Sequence, residues 1–287
     1  MDNIVYLNGE LIPRRRARIS ALDYGFMYGF GLFETMRAYD GRVFRLDRHI
    51  NRLADSAGLL GLSVDGVEIE KAVLDTIKAN RLADARVRIT VSPGEGAINA
   101  DPSSCRQPTL LVIAEEYKPY PKEVYEKGLW AVFSKVRRNS QSGLSQMKST
   151  SYLQSIMAKR EARDAAADEV ICLNEKGLLA EAGMSNIFLV ADNVLKTPRL
   201  ENGILPGITR QAILELASGL GIRNIECYIK PGELYRAQEA FLTGSLIEVM
   251  PLITVDDTKI GNAKPGPVTC RLMSAYRELV ASELEIQ

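Results

Sequence analysis

Hydrophobic and polar positions change period several times along this chain, and each change marks an element. Short β-type runs come first. Residues 4–7 and 10–12 flank Asn8-Gly9, and residues 33–39 and 42–44 flank Asp40-Gly41. Both dipeptides tolerate positive φ, so each pair of runs predicts a hairpin. The period then lengthens. Ile50, Leu53, Ala57 and Leu60 share one stripe of a helix that Asp47 is placed to cap. A second helix is expected over 67–79. Val87, Ile89 and Val91 then alternate with Arg86, Arg88 and Thr90, the mark of a strand with one buried face. Residues 110–114 are continuously apolar and read as another strand.

The stretch Tyr117-Lys-Pro-Tyr-Pro-Lys-Glu breaks the pattern, because closely spaced prolines disfavour helix. It predicts a small N-terminal domain over 1–117, a linker over 118–127 and a larger C-terminal domain over 128–287. Strands are expected at 129–136, 169–173, 178–180, 186–190, 194–197, 224–229, 239–243 and 248–255. Helices are expected at 152–167 and 209–220, with a short one opened by Pro231-Gly232. A closing helix over 267–282 places Val268, Leu272, Ala275 and Leu279 on one stripe. Strands and helices mix without regular βαβ alternation, which argues for an α+β fold.

Composition narrows the classes of partner. Lys plus Arg equals Asp plus Glu, 36 each, so no strong net field favours nucleic acid or anionic lipid. The N-terminus lacks a basic region followed by an apolar run, and no segment approaches ~18 continuous apolar residues. A cytoplasmic protein is expected, with neither nucleic-acid nor membrane partners. Cys105, Cys172, Cys227 and Cys270 are widely spaced and fit small buried hydrophobes in a reducing compartment. His49 is the only histidine. It excludes sites that need several histidines, no metal site is expected, and His49 itself reads as a buried, hydrogen-bonded side chain.

Candidate chemistry concentrates in two places. One is Lys148. The other runs from Glu181 through Asn186 and Phe188 to Thr197, then Leu205-Pro-Gly207-Ile208-Thr209-Arg210. A lysine can form a Schiff base, a carboxylate can hold a pyridine nitrogen protonated, and a Gly-Ile-Thr turn entering a helix can bind phosphate. Those are the needs of a pyridoxal phosphate site. The glycines at 25, 29 and 31 do not form GxGxxG, since Glu34 stands where a further glycine would fall, and read as close-packing positions.

The spacing of Glu181, Gly183, Asn186, Phe188, Thr197, Gly207 and Arg210 resembles the signature of the fold-type IV pyridoxal-phosphate enzymes, the class IV aminotransferases. The segments around 23–34, 44–53, 148–153 and 241–245 resemble further blocks of that family, so the resemblance covers nearly the whole chain. It implies a small α/β domain, a larger pseudo-barrel domain, pyridoxal 5'-phosphate between them and a homodimer. It implies that Lys148 carries the cofactor and shuttles the proton. Arg52, Tyr152, Glu181, Leu205, Gly207, Ile208, Thr209, Gly244 and Ser245 would complete the cofactor site. Tyr28, Phe33 and Arg88 would meet substrate. Many members carry Asn near the tyrosine where this chain has Ser151.

The resemblance also bears on the reaction. Arg88 within Val-Arg-Ile-Thr-Val, and the loop 100–109, are similar to branched-chain aminotransferases, and the Arg-x-His carboxylate trap of D-amino acid enzymes is missing from that loop. The expectation is ping-pong amino transfer between a branched-chain L-amino acid and a 2-oxo acid. Thr243-Gly-Ser-Leu-Ile-Glu-Val-Met-Pro251 resembles the 4-amino-4-deoxychorismate lyases as well, so release of pyruvate and 4-aminobenzoate is the alternative. D-amino acid or (R)-amine transamination comes next, then a cofactor-binding protein without catalysis.

Overall fold

The computed structural model describes residues 3–286; Met1 and Asp2, which open the segment read as lacking a leader, and Gln287 lie outside them. The chain divides into two compact units. The first holds the chain up to Lys118, the segment 147–152 and the residues from Ser282 onward. The second holds residues 119–146 and 153–281.

The first unit is built on β1 (Ile4–Leu7), β2 (Glu10–Pro13), α1 (Tyr24–Tyr28), β3 (Leu32–Tyr39), β4 (Arg42–Val43), α2 (Leu46–Leu59), α3 (Gly66–Asn80), β5 (Ala85–Ser92) and β6 (Thr109–Glu116). Its six strands form an antiparallel sheet in the order β2-β1-β6-β5-β3-β4. Both expected hairpins form: Asn8 and Gly9 take φ of 48° and 96°, and Asp40 and Gly41 take 47° and 75°. Val87, Ile89 and Val91 of β5 turn inward to a core that includes Ile50 and Leu53 of α2 and Ile69, Val73 and Ile77 of α3. The expected cap of α2 needs correction. Arg45, in the left-handed region at φ 52°, precedes the helix, and Asp47 lies within its first turn. There it meets the positive end of the helix dipole and closes no amide. Asp65 does cap α3, accepting from the amides of Val67 and Glu68.

The segment 147–152 is tied to β3 by backbone bonds. Phe33 N–H donates to Lys148 O, and Thr150 N–H donates to Gly31 O, both at 2.8 Å. The candidate lysine is therefore fixed at its backbone, beside the strand that carries Phe33 and Glu34.

The second unit opens with α4 (Lys122–Lys127), which occupies most of the stretch expected as a linker. It continues with β7 (Leu129–Arg138), α5 (Leu153–Asp164), β8 (Glu169–Asn174), β9 (Leu179–Ala182), β10 (Asn186–Ala191), β11 (Val194–Pro198), α6 (Ile208–Gly219), β12 (Asn224–Cys227), α7 (Pro231–Tyr235), β13 (Glu239–Gly244), β14 (Glu248–Val255), β15 (Thr258–Lys259) and α8 (Pro267–Leu284), whose residues from Ser282 on count with the first unit. The sheet runs β12-β11-β10-β13-β14-β7-β8-β9, with β15 on β14. Its last strand, β9, lies back against β10 and β11, so the sheet curls into a partial barrel around Ile171, Leu179, Ile187, Leu189, Leu242 and Leu252. Alternate residues of β10 and β13 point away from that core. Among them Phe188 and Phe241 stack with ring centroids 5.0 Å apart.

Buried Glu239 holds the start of α8, accepting from the amides of Val268 and Thr269 and from the Thr269 hydroxyl. The buried stripe of α8 is Thr269, Leu272, Tyr276 and Val280, one position on from the expected one except at Leu272. The phase follows Glu239, which pulls Thr269 inward in place of Val268. No helix among the described residues is long and apolar enough to cross a membrane.

Phe188→Ala should lower unfolding free energy by about 3–5 kcal/mol in denaturant titration, because the fully buried ring leaves a cavity against Phe241. A loss under about 1 kcal/mol would show that this face is not tightly packed.

Candidate active site

Within β3, Leu32, Glu34, Met36 and Ala38 occupy alternate positions, and all but Glu34 are core hydrophobics. Glu34 is thus a carboxylate on the inner face of a sheet, with 0% exposure. Two side chains one turn apart on α2 close on it. Arg52 makes a two-pronged contact, Nε to Oε1 at 2.8 Å and a terminal nitrogen to Oε2 at 2.7 Å. His49 Nδ1 lies 2.8 Å from Oε2. Burial pushes the Glu34 pKa up, but Arg52's charge and the bonds from His49 and Arg52 outweigh it and hold the carboxyl at about 2. Burial lowers the His49 pKa, which Glu34 only partly offsets and the charges of Arg52 and Lys148 reinforce. The ring is therefore neutral, with its proton on Nδ1, donated to Glu34.

The opposite face of β3 gathers three sequence-predicted residues around Phe33. Lys148 Nζ lies 4.7 Å from the ring centroid, and the Arg88 guanidinium carbon lies 3.8 Å from it. Tyr152 packs edge-on at 5.1 Å. Burial, and then repulsion from Arg86, lower the Arg88 pKa, with Tyr152 acting the other way. Tyr28 packs edge-on against Tyr24 at 4.9 Å rather than joining this cluster. Ser151, where the family resemblance departs, donates to Gly29 O at 3.0 Å. Gly29 ends α1 in the left-handed region at φ 64°, and a Cβ there would stand 2.9 Å from Ser151 Oγ. The serine thus pins the lysine segment to α1.

In the second unit Glu181, at the end of β9, is almost fully buried. Its Oε1 lies 3.3 Å from Arg138 Nε, and its Oε2 accepts from the Leu205 amide at 3.2 Å and from Asn186 at 3.5 Å. Asn186 also donates to Leu205 O at 3.0 Å. Gly207 precedes α6, whose start carries no side-chain cap. A Cβ on Gly207 would stand 2.0 Å from Asn186 Oδ1. Only glycine lets this turn approach Glu181's partner so closely. Ile208 and Thr209, both buried, supply the first helical amides, the natural place for an anion. Ser185 Cβ lies 3.8 Å from where a Gly244 Cβ would be, next to the Gly244-Ser245 turn. The hydroxyls of Ser185 and Thr243 are buried with no hydrogen-bond partner among the described residues. Buried polar groups normally have partners. Unmet donors, an uncapped helix start and a carboxylate held by a cation suit a phosphate-bearing, protonated heterocycle.

Arg210 and Thr197, matched by the signature, have structural contacts. Arg210 bonds to Pro198 O and Glu226 and fixes α6 to the neighbouring strands, and Thr197 donates to Ile187 O. Two residues escaped the sequence reading. Glu34 had a legible signal, a lone charge among apolar alternate positions. Arg138 had none, since arginines near strand ends are usually solvated.

Known proteins resemble the whole chain. The amino-transferase class IV family model matches residues 31–255. A branched-chain-amino-acid aminotransferase of Pseudomonas aeruginosa is 34% identical over 293 residues, covering 99% of this chain and 95% of the relative. An aminodeoxychorismate lyase of Bacillus subtilis is 33% identical, covering 96% of this chain and 94% of the relative. The structure of a branched-chain amino acid aminotransferase from Thermobaculum terrenum, in its PLP-bound holo form, superposes with a TM-score of 0.87 at 28% identity, covering 98% of this chain and 94% of that one.

The folded-state pKa of His49 and of Glu34 are both depressed, so the unfolded chain binds more protons and acid destabilises the fold. The His49 contribution is complete above roughly pH 6.5 and is lost as pH falls; the Glu34 contribution is complete above roughly 4.3 and is lost toward about 2. NMR of the single imidazole should show a midpoint displaced to the acid side of the ordinary value near 6.5, whereas a midpoint at or above about 6.5 would contradict a neutral buried ring.

Proposed function

Because the chain belongs to the amino-transferase class IV family, we propose that it moves an amino group between a branched-chain L-amino acid and a 2-oxo acid in a ping-pong cycle on pyridoxal 5'-phosphate. One observation carries the reading: a lysine amine and the Arg88 guanidinium share the Phe33 ring, at 4.7 and 3.8 Å from its centroid. An amine and a carboxylate-binding cation on one aromatic wall are what an α-amino acid substrate requires.

The cofactor, when bound, supplies an aldehyde that takes up an amine and a ring that withdraws electrons from the bond being broken. Lys148 would hold it through its amine and would be the base that moves a proton at the substrate α-carbon. Glu181 would stand at the ring nitrogen and hold its proton there. Tyr152 and the Leu205 backbone would complete the residues that hold the ring. Arg52, oriented by Glu34, would balance phosphate charge. The amides of Ile208 and Thr209, beside Gly207, and the Gly244-Ser245 turn would hold the phosphate. Arg88 receives the substrate carboxylate, and Phe33 and Tyr28 wall its apolar side chain.

A homodimer suits the first unit's surface. Phe26 and Ile98 are 78% and 73% exposed. Phe26, Ile19 and Leu111 line a cavity of about 420 Å³ with Ser92 and Thr109. An exposed aromatic ring at the lining of such a cavity suits a face that a second copy would cover. Four free thiols suit the cytoplasm.

Mixing the holoenzyme separately with L-leucine, D-amino acids, (R)-amines and aminodeoxychorismate tests the substrate. Branched-chain L-amino acids should change the cofactor spectrum and leave a 2-oxo acid. A response to D-amino acids or (R)-amines alone would overturn the substrate assignment, and pyruvate release without an amino acceptor would favour the lyase. Lys148→Ala should abolish transfer; full turnover would remove its role.

A further inference from the structure

Arg138 ends β7 with its side chain 13% exposed. One terminal nitrogen donates to Gly183 O at 3.1 Å and to Ser155 Oγ at 3.2 Å. Both acceptors are neutral and fixed, one in the turn after Glu181 and one in the first turn of α5. Nε lies 3.3 Å from Glu181 Oε1, within ion-pair distance, but it is buried and has no hydrogen-bond partner among the described residues. The guanidinium is thus anchored elsewhere and presents its charge, rather than a well-formed hydrogen bond, to Glu181.

The other ionisable groups nearby do not cancel that charge. Cys172 on β8 is fully buried, and burial pushes its thiol up to about 11, so it stays neutral. Glu169 on β8 is occupied by Lys159 at 3.2 Å. Arg138 therefore acts on Glu181 as a fixed cation.

Resting on the reading that Glu181 faces the cofactor's ring nitrogen, we propose that Arg138 is a positioning residue whose charge keeps their shared proton on that nitrogen rather than on the carboxylate. A proton between a carboxylate and a pyridine can rest as a charge-separated or a neutral pair. Burial favours the neutral pair, with the proton on oxygen. An arginine at ion-pair distance stabilises the carboxylate anion, typically by roughly one to three pH units, and reverses that preference. The protonated ring is the better electron sink. Arg138 thus influences the chemistry through Glu181 without itself touching the reacting atoms.

The test is the ring-nitrogen NMR signal of the holoenzyme loaded with 15N-labelled pyridoxal phosphate, which reports proton position independently of turnover. Arg138→Gln drops the charge and keeps a polar amide on a shorter side chain; Arg138→Lys keeps the charge. The nitrogen should be protonated in the wild type and in Arg138→Lys and largely unprotonated in Arg138→Gln. Should Arg138→Gln fail to fold, as judged by thermal unfolding, Arg138→Met takes its place. Glu181→Gln separates the two assignments. If its nitrogen stays protonated, the Glu181 reading itself fails. If Glu181→Gln loses the proton while the charge-removing Arg138 variant keeps it, the Arg138 proposal is overturned. Equal loss in Arg138→Lys and Arg138→Gln would overturn it too, since charge would then not be the cause.

Discussion

A full negative charge sits inside the core of the first unit, and much of the candidate site's geometry follows from how it is accommodated. An unpaired carboxylate at Glu34's position would be prohibitively unstable. It is tolerated because Arg52 grips both oxygens and His49 adds a third contact. The interaction works in both directions. Glu34 is kept ionised, and Arg52, a long and otherwise flexible side chain, is held in one orientation on α2. Breaking such a buried pair from one side typically costs about 3–5 kcal/mol, because the other charge is stranded. Position and stability are therefore coupled at this point.

The same strand serves chemistry on its other face. β3 turns Glu34 toward the core and Phe33 away from it, and its backbone is bonded to the lysine segment. One two-residue period of a β-strand thus orients Arg52 through Glu34 and sets the Lys148 amine beside Phe33. The second unit uses a comparable economy. Glu181, Asn186, Leu205 and Gly207 form one bonded group, and the absence of a Cβ on Gly207 is what lets Asn186 occupy its place.

Much of this was legible in the amino-acid sequence, for identifiable reasons. Asn8-Gly9 and Asp40-Gly41 favour positive φ locally, and both turns take it. The alternation of Val87, Ile89 and Val91 with arginines and threonine survives because one face of β5 meets a core and the other does not. Features set by distant contacts were hidden. The left-handed Arg45 before α2 cannot be anticipated from a stretch that offers Asp47 as a conventional cap. The phase of α8 depends on Glu239, far away in the chain. The helix Tyr24–Tyr28 is short, capped by Asp23, and sits among glycines and aromatics that carry no helical period. Arg138 illustrates the same limit at the candidate site, because its partner Glu181 lies on another strand.

The proposed chemistry stands on one amine being the covalent attachment point for the cofactor. Borohydride reduction of the cofactor-loaded protein, followed by proteolysis and mass spectrometry of the peptides, reads that point directly. The expected result is a single reduced pyridoxyl adduct on the peptide that contains Lys148. An adduct on a different side chain, or none from fully loaded protein, would contradict it.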